Sequence, residues 1–296
     1  MDIMGAKDIA FPNLGIYLKN VPKGFTVFGF PIALYGVIIG IGVMAGFALW
    51  LNQAKLEGHD PDIYWDFSIY AIIFSIIGAR IYYVALSWDY YKTDLLSVFN
   101  IRGGGLAIYG AVIAAFLTCA IYTKIKKIKM FQLTDVGVTG LILGQIIGRW
   151  ANFMNREAFG EYSDGLFSMR LPIEAVRGSD ISTSIATHIT EGANYIQVHP
   201  TFLYESVWNV IILAIMLLYR KHKKFQGEIT LIYLGGYGLG RFFVEGIRTD
   251  QLRFMNTNIA ASQVLGMFLF ILSIIIEIIV RVNDKKKKEV VKTSKK

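Results

Sequence analysis

Seven apolar blocks, each long enough to cross a bilayer, constrain this chain more than any other feature. They lie at roughly 31–52, 63–86, 104–123, 131–153, 201–219, 228–247 and 260–280. A helix needs about 20 predominantly apolar residues to cross the hydrocarbon, and within lipid only helices and closed barrels satisfy their own backbone. The blocks lack the strict alternation of barrel strands. With 54% apolar residues, the chain reads as an all-α polytopic membrane protein of seven transmembrane helices.

Charge placement gives the orientation. More than half of the 30 basic residues fall at Lys55, at 124–129, at 220–224 and at 281–296. These segments share one side of the membrane if the N-terminus lies on the other, so the positive-inside rule gives N-out, C-in. The net charge of +8 then serves topology and anionic lipid, and nucleic acid is not an expected partner. The resulting plan is a single seven-helix membrane domain over 1–282 and a basic cytoplasmic tail over 283–296. Between helices four and five an outer insertion, about 156–200, is long enough for a small head.

The first 25 residues have no compact apolar core behind a basic start, so no cleaved signal peptide is expected. Residues 1–30, with Pro12, Pro22 and several aromatics, read as an amphipathic segment along the outer interface. The single cysteine, Cys119, allows no intrachain disulfide and no thiolate cluster. The four histidines show no ligand spacing. No metal and no other cofactor is expected.

Three arginines fall inside spans. Arg80 lies about one turn from the outer surface and reads as snorkelling there. Arg149 closes the fourth span in the run Gly148-Arg149-Trp150-Ala151-Asn152-Phe153-Met154-Asn155-Arg156-Glu157-Ala158-Phe159-Gly160. A guanidinium in hydrocarbon costs at least a few kcal/mol unless it is paired or faces water. Arg149 and Asn152 share a helix face, and Asn155 and Glu157 fall where the helix should end. Such a group suits an anionic headgroup; the plainer reading of Arg149 is a cap on the helix C-terminus. In the sixth span Arg241, Glu245 and Arg248 share one face, as an internal ion pair or as part of a site.

On the N-out topology Arg149, Glu157, His199, Arg241 and Glu245 all map to the outer half of the membrane. The pattern Gly148-Arg149-x-Ala151-Asn152-Phe153-Met154-Asn155-x-Glu157-x-x-Gly160 resembles the signature of the prolipoprotein diacylglyceryl transferases at each of its defined positions. Other blocks agree in order: Tyr35-Gly36, Gly78-x-Arg80-x-x-Tyr83, His199-Pro200-x-x-Leu203-Tyr204-Glu205, and Tyr237-Gly238-x-x-Arg241-Phe242-x-x-Glu245-x-x-Arg248. The chain departs from the family at Tyr109, where well-studied members carry a histidine.

The resemblance implies transfer of diacylglyceryl from phosphatidylglycerol to the lipobox cysteine of prolipoprotein signal peptides, with release of glycerol phosphate. It also implies a multi-pass protein of the bacterial cell membrane whose active site faces the extracytoplasmic leaflet. Arg149 and Arg241 are typed to hold the lipid phosphate. Glu157 is the candidate base for the thiol, and Tyr109 a hydrogen-bond donor to substrate. Tyr35, Asn152, Asn155, Tyr237, Glu245 and Arg248 are expected headgroup or peptide contacts. Gly160 is expected to permit the turn out of the helix. His199 joins the site or orients the fifth span. A transporter or flippase for an anionic lipid is the competing reading, with the same arginines and no covalent chemistry.

Overall fold

The computed structural model describes residues 3–5, 7–101, 104–253 and 259–293. Arg102 and Gly103, and residues 294–296 of the basic tail, lie outside the described residues. The chain divides into two compact units, Met1–Leu49 with Val138–Lys296, and Trp50–Gly137.

The elements run in order: β1 (Ile3–Met4), β2 (Lys7–Phe11), β3 (Ile16–Val21), β4 (Gly24–Val27), β5 (Phe30–Ala33), α1 (Leu34–Leu56), α2 (Pro61–Leu86), the short α3 (Trp88–Tyr91), α4 (Ile108–Lys126), α5 (Met130–Asn155), β6 (Met169–Pro172), the short α6 (Thr183–Thr187), β7 (Tyr195–Val198), α7 (Thr201–Tyr219), α8 (Glu228–Ile247) and α9 (Ala261–Thr293). Among the described residues six helices are long and apolar enough to cross a membrane: α1, α2, α4, α5, α7 with its following turn, and α9 up to Lys285. The remaining block, 228–247, is also a helix, α8. Its charges and five glycines leave it less apolar than the other six.

The all-α expectation is corrected outside the helices. The described part of residues 1–30 forms short strands and one 3-10 turn. One sheet has the order β1-β4-β5 and the other β3-β2-β6-β7. The second sheet joins the N-terminal segment to the insertion, through Ala10 opposite Arg170, and β6 pairs along its length with β7. Alternate residues of these strands turn inward: Ile9 and Phe11, Met169 and Leu171, Ile196 and Val198. This is the period-2 burial of a strand, in runs too short to stand out beside 20-residue spans. Phe153 of α5 and Phe202 of α7 complete the same core and seat the sheet on those helices. Arg156, 2% exposed, donates to the carbonyls of Met154, Val21 and Lys7, and so ties the end of α5 to the N-terminal strands.

In the same unit α8 packs on α9 where Gly238 meets Gly266; a Cβ on either would lie within 2.6 Å of the other's carbonyl oxygen. Small residues let helices approach this closely in membranes. Against α7, the Trp208 indole lies over Gly240 and donates to the Gly236 carbonyl at 2.8 Å.

In the other unit α2 starts at Pro61 behind the N-cap Asp60, whose side chain accepts from the Asp62 backbone N–H at 3.0 Å. Tyr64, Phe67, Cys119, Tyr122 and Leu133 form its core. Arg80 does not snorkel. It is 7% exposed and donates to the carbonyls of Ser97, Val98, Gly104 and Gly105 at 2.7–2.9 Å. Its guanidinium also lies over the Tyr91 ring. Four loop carbonyls pointing at one side chain satisfy it better than distant headgroups can.

Candidate functional site

Three helix ends supply the charged residues. The last two turns of α5 carry Arg149 and Asn152, the start of α7 carries Glu205, and the last turns of α8 carry Arg241 and Glu245. A backbone knot sets the register of these ends. Gly160 N–H donates to the His199 carbonyl at 3.0 Å, His199 N–H to Glu161 at 3.0 Å, and Glu161 N–H to Ile247 at 2.8 Å. The chain reaches the knot through two left-handed residues, Arg156 (φ 57°) and Ala158 (φ 56°). The turn out of α5 is therefore made by these two, and Gly160 is needed for a different reason. A Cβ there would lie 2.8 Å from His199 Cβ and 2.9 Å from the Ile247 carbonyl oxygen.

With the ends so held, three guanidiniums converge on two buried carboxylates. Arg149 Nη2 lies 2.7 Å from Glu205 Oε2. Arg241 spans both acids, Nη1 at 3.2 Å from Glu205 Oε1 and Nη2 at 2.6 Å from Glu245 Oε2. Arg248 stands 4.0 Å from each, and its fork grips Asp250 at 2.7 and 2.8 Å. The Glu205 and Glu245 side chains are 6% and 2% exposed. Burial alone would raise the Asp250 carboxyl, but its bonds to Arg248 hold it below the ordinary carboxylate value.

Of the five residues that the sequence places in the outer half of the membrane, Arg149, Arg241 and Glu245 meet around Glu205 with Arg248 nearby, while Glu157 and His199 have other partners. The hub is Glu205, the last residue of the His199–Glu205 motif, for which the resemblance implied no role. An acid inside an apolar span was the available signal. Asp250, two residues beyond Arg248, was missed; it lies past the end of the periodic pattern.

Glu157 sits apart from these ion pairs. Its Oε1 accepts from the Asn152 amide at 3.0 Å and its Oε2 from the Asn155 amide at 3.4 Å. Arg177 is 3.8 Å from Oε2. Two amides and a distant guanidinium orient this carboxylate without consuming its charge. Tyr35, in the first turn of α1, falls in the electrostatic field of Glu157 and Arg149.

Tyr237 stacks on Tyr233 at 5.6 Å, one turn before Arg241, against the core between α7 and α8. His199 Nδ1 is 3.1 Å from the Tyr204 hydroxyl. Burial lowers the His199 imidazole below its ordinary value, with Glu161 opposing, so it is neutral at pH 7. Tyr109 belongs to the other unit, on the first turn of α4. Among the described residues no group of three His, Cys, Asp or Glu could hold a metal ion.

A model of the prolipoprotein diacylglyceryl transferase family matches residues 22–279. The chain is similar to the phosphatidylglycerol–prolipoprotein diacylglyceryl transferase of Listeria monocytogenes serotype 4a (strain HCC23), 44% identical over 262 residues, covering 88% of this chain and 90% of the relative. The protein of that name from Finegoldia magna is 37% identical over 273 residues, 92% and 98% of the two chains. That from Clostridioides difficile (strain 630) is 40% identical over 230 residues, 77% and 83%.

Proposed function

The chain belongs to the prolipoprotein diacylglyceryl transferase family, and from that premise we propose that its buried arginine cluster holds the phosphate of the donor lipid. The protein is a membrane-embedded transferase that moves a diacylglyceryl group from phosphatidylglycerol to a prolipoprotein. One observation carries the site assignment: Arg149 and Arg241 pair with two nearly buried carboxylates, with Arg248 4.0 Å from each, while Glu157, on the same exit of α5, meets only the exposed Arg177 at 3.8 Å.

In this reading the acceptor is the lipobox cysteine of a signal peptide. Its thiol has an ordinary pKa of about 8.5 and needs a base to become the nucleophile. Glu157 takes the thiol proton. The sulfur attacks the glyceryl carbon bearing the phosphodiester oxygen, a C–S bond forms and the C–O bond breaks. The electron pair leaves on the phosphate, and glycerol phosphate departs. Charge grows on the phosphate oxygens as that bond breaks, where preorganised guanidinium donors in a site shielded from water stabilise it most. Arg149 and Arg241 keep N–H donors for this beyond those facing Glu205 and Glu245. Asn152 and Asn155 hold Glu157 toward the thiol. Tyr35 and Tyr237 contact headgroup or peptide.

The basic segments support an N-out, C-in arrangement with α8 as a seventh span, its charges satisfied internally. The strands of the insertion then lie on the extracytoplasmic side of a bacterial plasma membrane, and the arginines at the outer leaflet. The test uses purified protein in phosphatidylcholine nanodiscs with phosphatidylglycerol and a lipobox peptide. The expected result is a diacylglyceryl mass gain on the peptide cysteine with matching glycerol phosphate release, both lost in Arg149→Ala. No mass gain at any phosphatidylglycerol fraction would turn the reading toward lipid transport, and full activity in Arg149→Ala would remove the phosphate site from this cluster.

A further inference from the structure

Beside Glu157 lies a cleft of about 280 Å³ lined by Lys23, Asn155, Arg156, Glu157, Glu174 and Arg177. That volume is at the bottom of the range for small-molecule sites. It suits a headgroup-sized molecule, and its charged lining excludes an acyl chain.

Its charge is unbalanced. Lys23, Arg156 and Arg177 face Glu157 and Glu174, and Glu174 is already paired with Lys7. The Lys23 ammonium donates to the Ala175 carbonyl at 3.1 Å and, among the described residues, has no carboxylate partner. Burial and then the nearby Arg156 and Arg177 hold its pKa below the ordinary lysine value, with Glu157 opposing. The Arg156 guanidinium is itself buried, with its two terminal nitrogens tied to carbonyls, so it lends the cleft wall charge rather than a donor. Like cations held together, one of them with no carboxylate partner, point to an anion.

We infer that this cleft binds a small phosphomonoester dianion, and that in turnover its occupant is the glycerol phosphate released from the donor lipid. The occupant rests on the transfer reaction proposed above. The lipid phosphate is a diester with one charge. The leaving glycerol phosphate is a monoester carrying about −1.5 to −2 at pH 7. A pocket with surplus cations discriminates the second from the first. Lys23 and Arg177 hold the phosphate, and Asn155, Glu157 and Glu174 meet the glycerol hydroxyls. The product is thereby drawn off the arginine cluster toward water.

The test titrates radiolabelled glycerol phosphate into the full-length protein in phosphatidylcholine nanodiscs. Saturable binding is expected, weakened at least tenfold in Lys23→Gln and in Arg177→Gln, and kept within threefold in Lys23→Arg, which controls for folding. Added glycerol phosphate should inhibit transfer by the native protein, and Lys23→Gln should need at least tenfold more. Absence of saturable binding, or binding untouched by both glutamine variants, overturns the site. Inorganic phosphate competing as tightly as glycerol phosphate, or phosphatidylglycerol in the disc displacing it, overturns the assignment to the product. The mass gain on the acceptor cysteine, measured without added glycerol phosphate, reads the transfer reaction alone. Transfer without glycerol phosphate binding therefore sinks only the cleft, and binding without transfer sinks the reaction and with it this occupant.

Discussion

Replacing Glu205 with glutamine separates holding the arginines from binding the lipid. Glu205 offers one oxygen to Arg149 at 2.7 Å and the other to Arg241 at 3.2 Å. Glutamine keeps the shape and one oxygen, but its amide nitrogen then faces a guanidinium, donor against donor. One charge-assisted bond is lost, worth about 1.5–3 kcal/mol. The Glu205 side chain is 6% exposed and its partners are under 20%, so water screens little of this. At about 1.4 kcal/mol per tenfold, kcat should fall about 10- to 150-fold as an arginine leaves its productive position. Binding should move the other way. Arg149, Arg241 and Arg248 are balanced in the native protein by Glu205, Glu245 and Asp250. The variant carries one surplus positive charge, so KM for phosphatidylglycerol should hold or fall. Initial rates of cysteine mass gain across a phosphatidylglycerol series measure both constants. A kcat within twofold of native, or a loss confined to a higher KM, would refute Glu205 as the positioning hub.

Gly160→Ala should destabilise the protein by about 1–3 kcal/mol, the usual cost of overpacking, because the new methyl lies under 3 Å from His199 and Ile247 atoms; a melting midpoint equal to native would show the knot to be slack. His199 gives a pH dependence of defined sign. Its folded pKa is lowered by burial, so the unfolded chain binds the proton more readily in the window just below pH 6.5. The histidine's contribution is complete above that value and is lost as pH falls through the folded pKa. Melting midpoints from pH 7.5 to 5.5 should fall more steeply for native protein than for His199→Gln, and parallel curves would rule this out.

The membrane character, the six helices long and apolar enough to cross a bilayer and the helical block at 228–247 were legible because a span is a local property, written in about 20 consecutive residues. The faces carrying Arg149 with Asn152, and Arg241 with Glu245 and Arg248, were legible for the same reason: helical spacing fixes which side chains meet. Where chain segments distant in sequence come together was not. The sheet takes β2 from residues 7–11 and β6 from 169–172, and four-residue strands carry too little periodicity to announce partners 160 positions away. Arg80 read as a snorkelling side chain because the carbonyls that receive it lie on a loop whose path only the fold sets. Gly160 looked like a turn glycine, and only the crossing of three chain segments shows that it is needed for space. The residue types for anion chemistry were thus fixed by sequence. That Glu205 joins the arginines of two other helices was decided by tertiary structure, because ion pairing falls off over a few ångströms and only packing brings those helix ends within that distance.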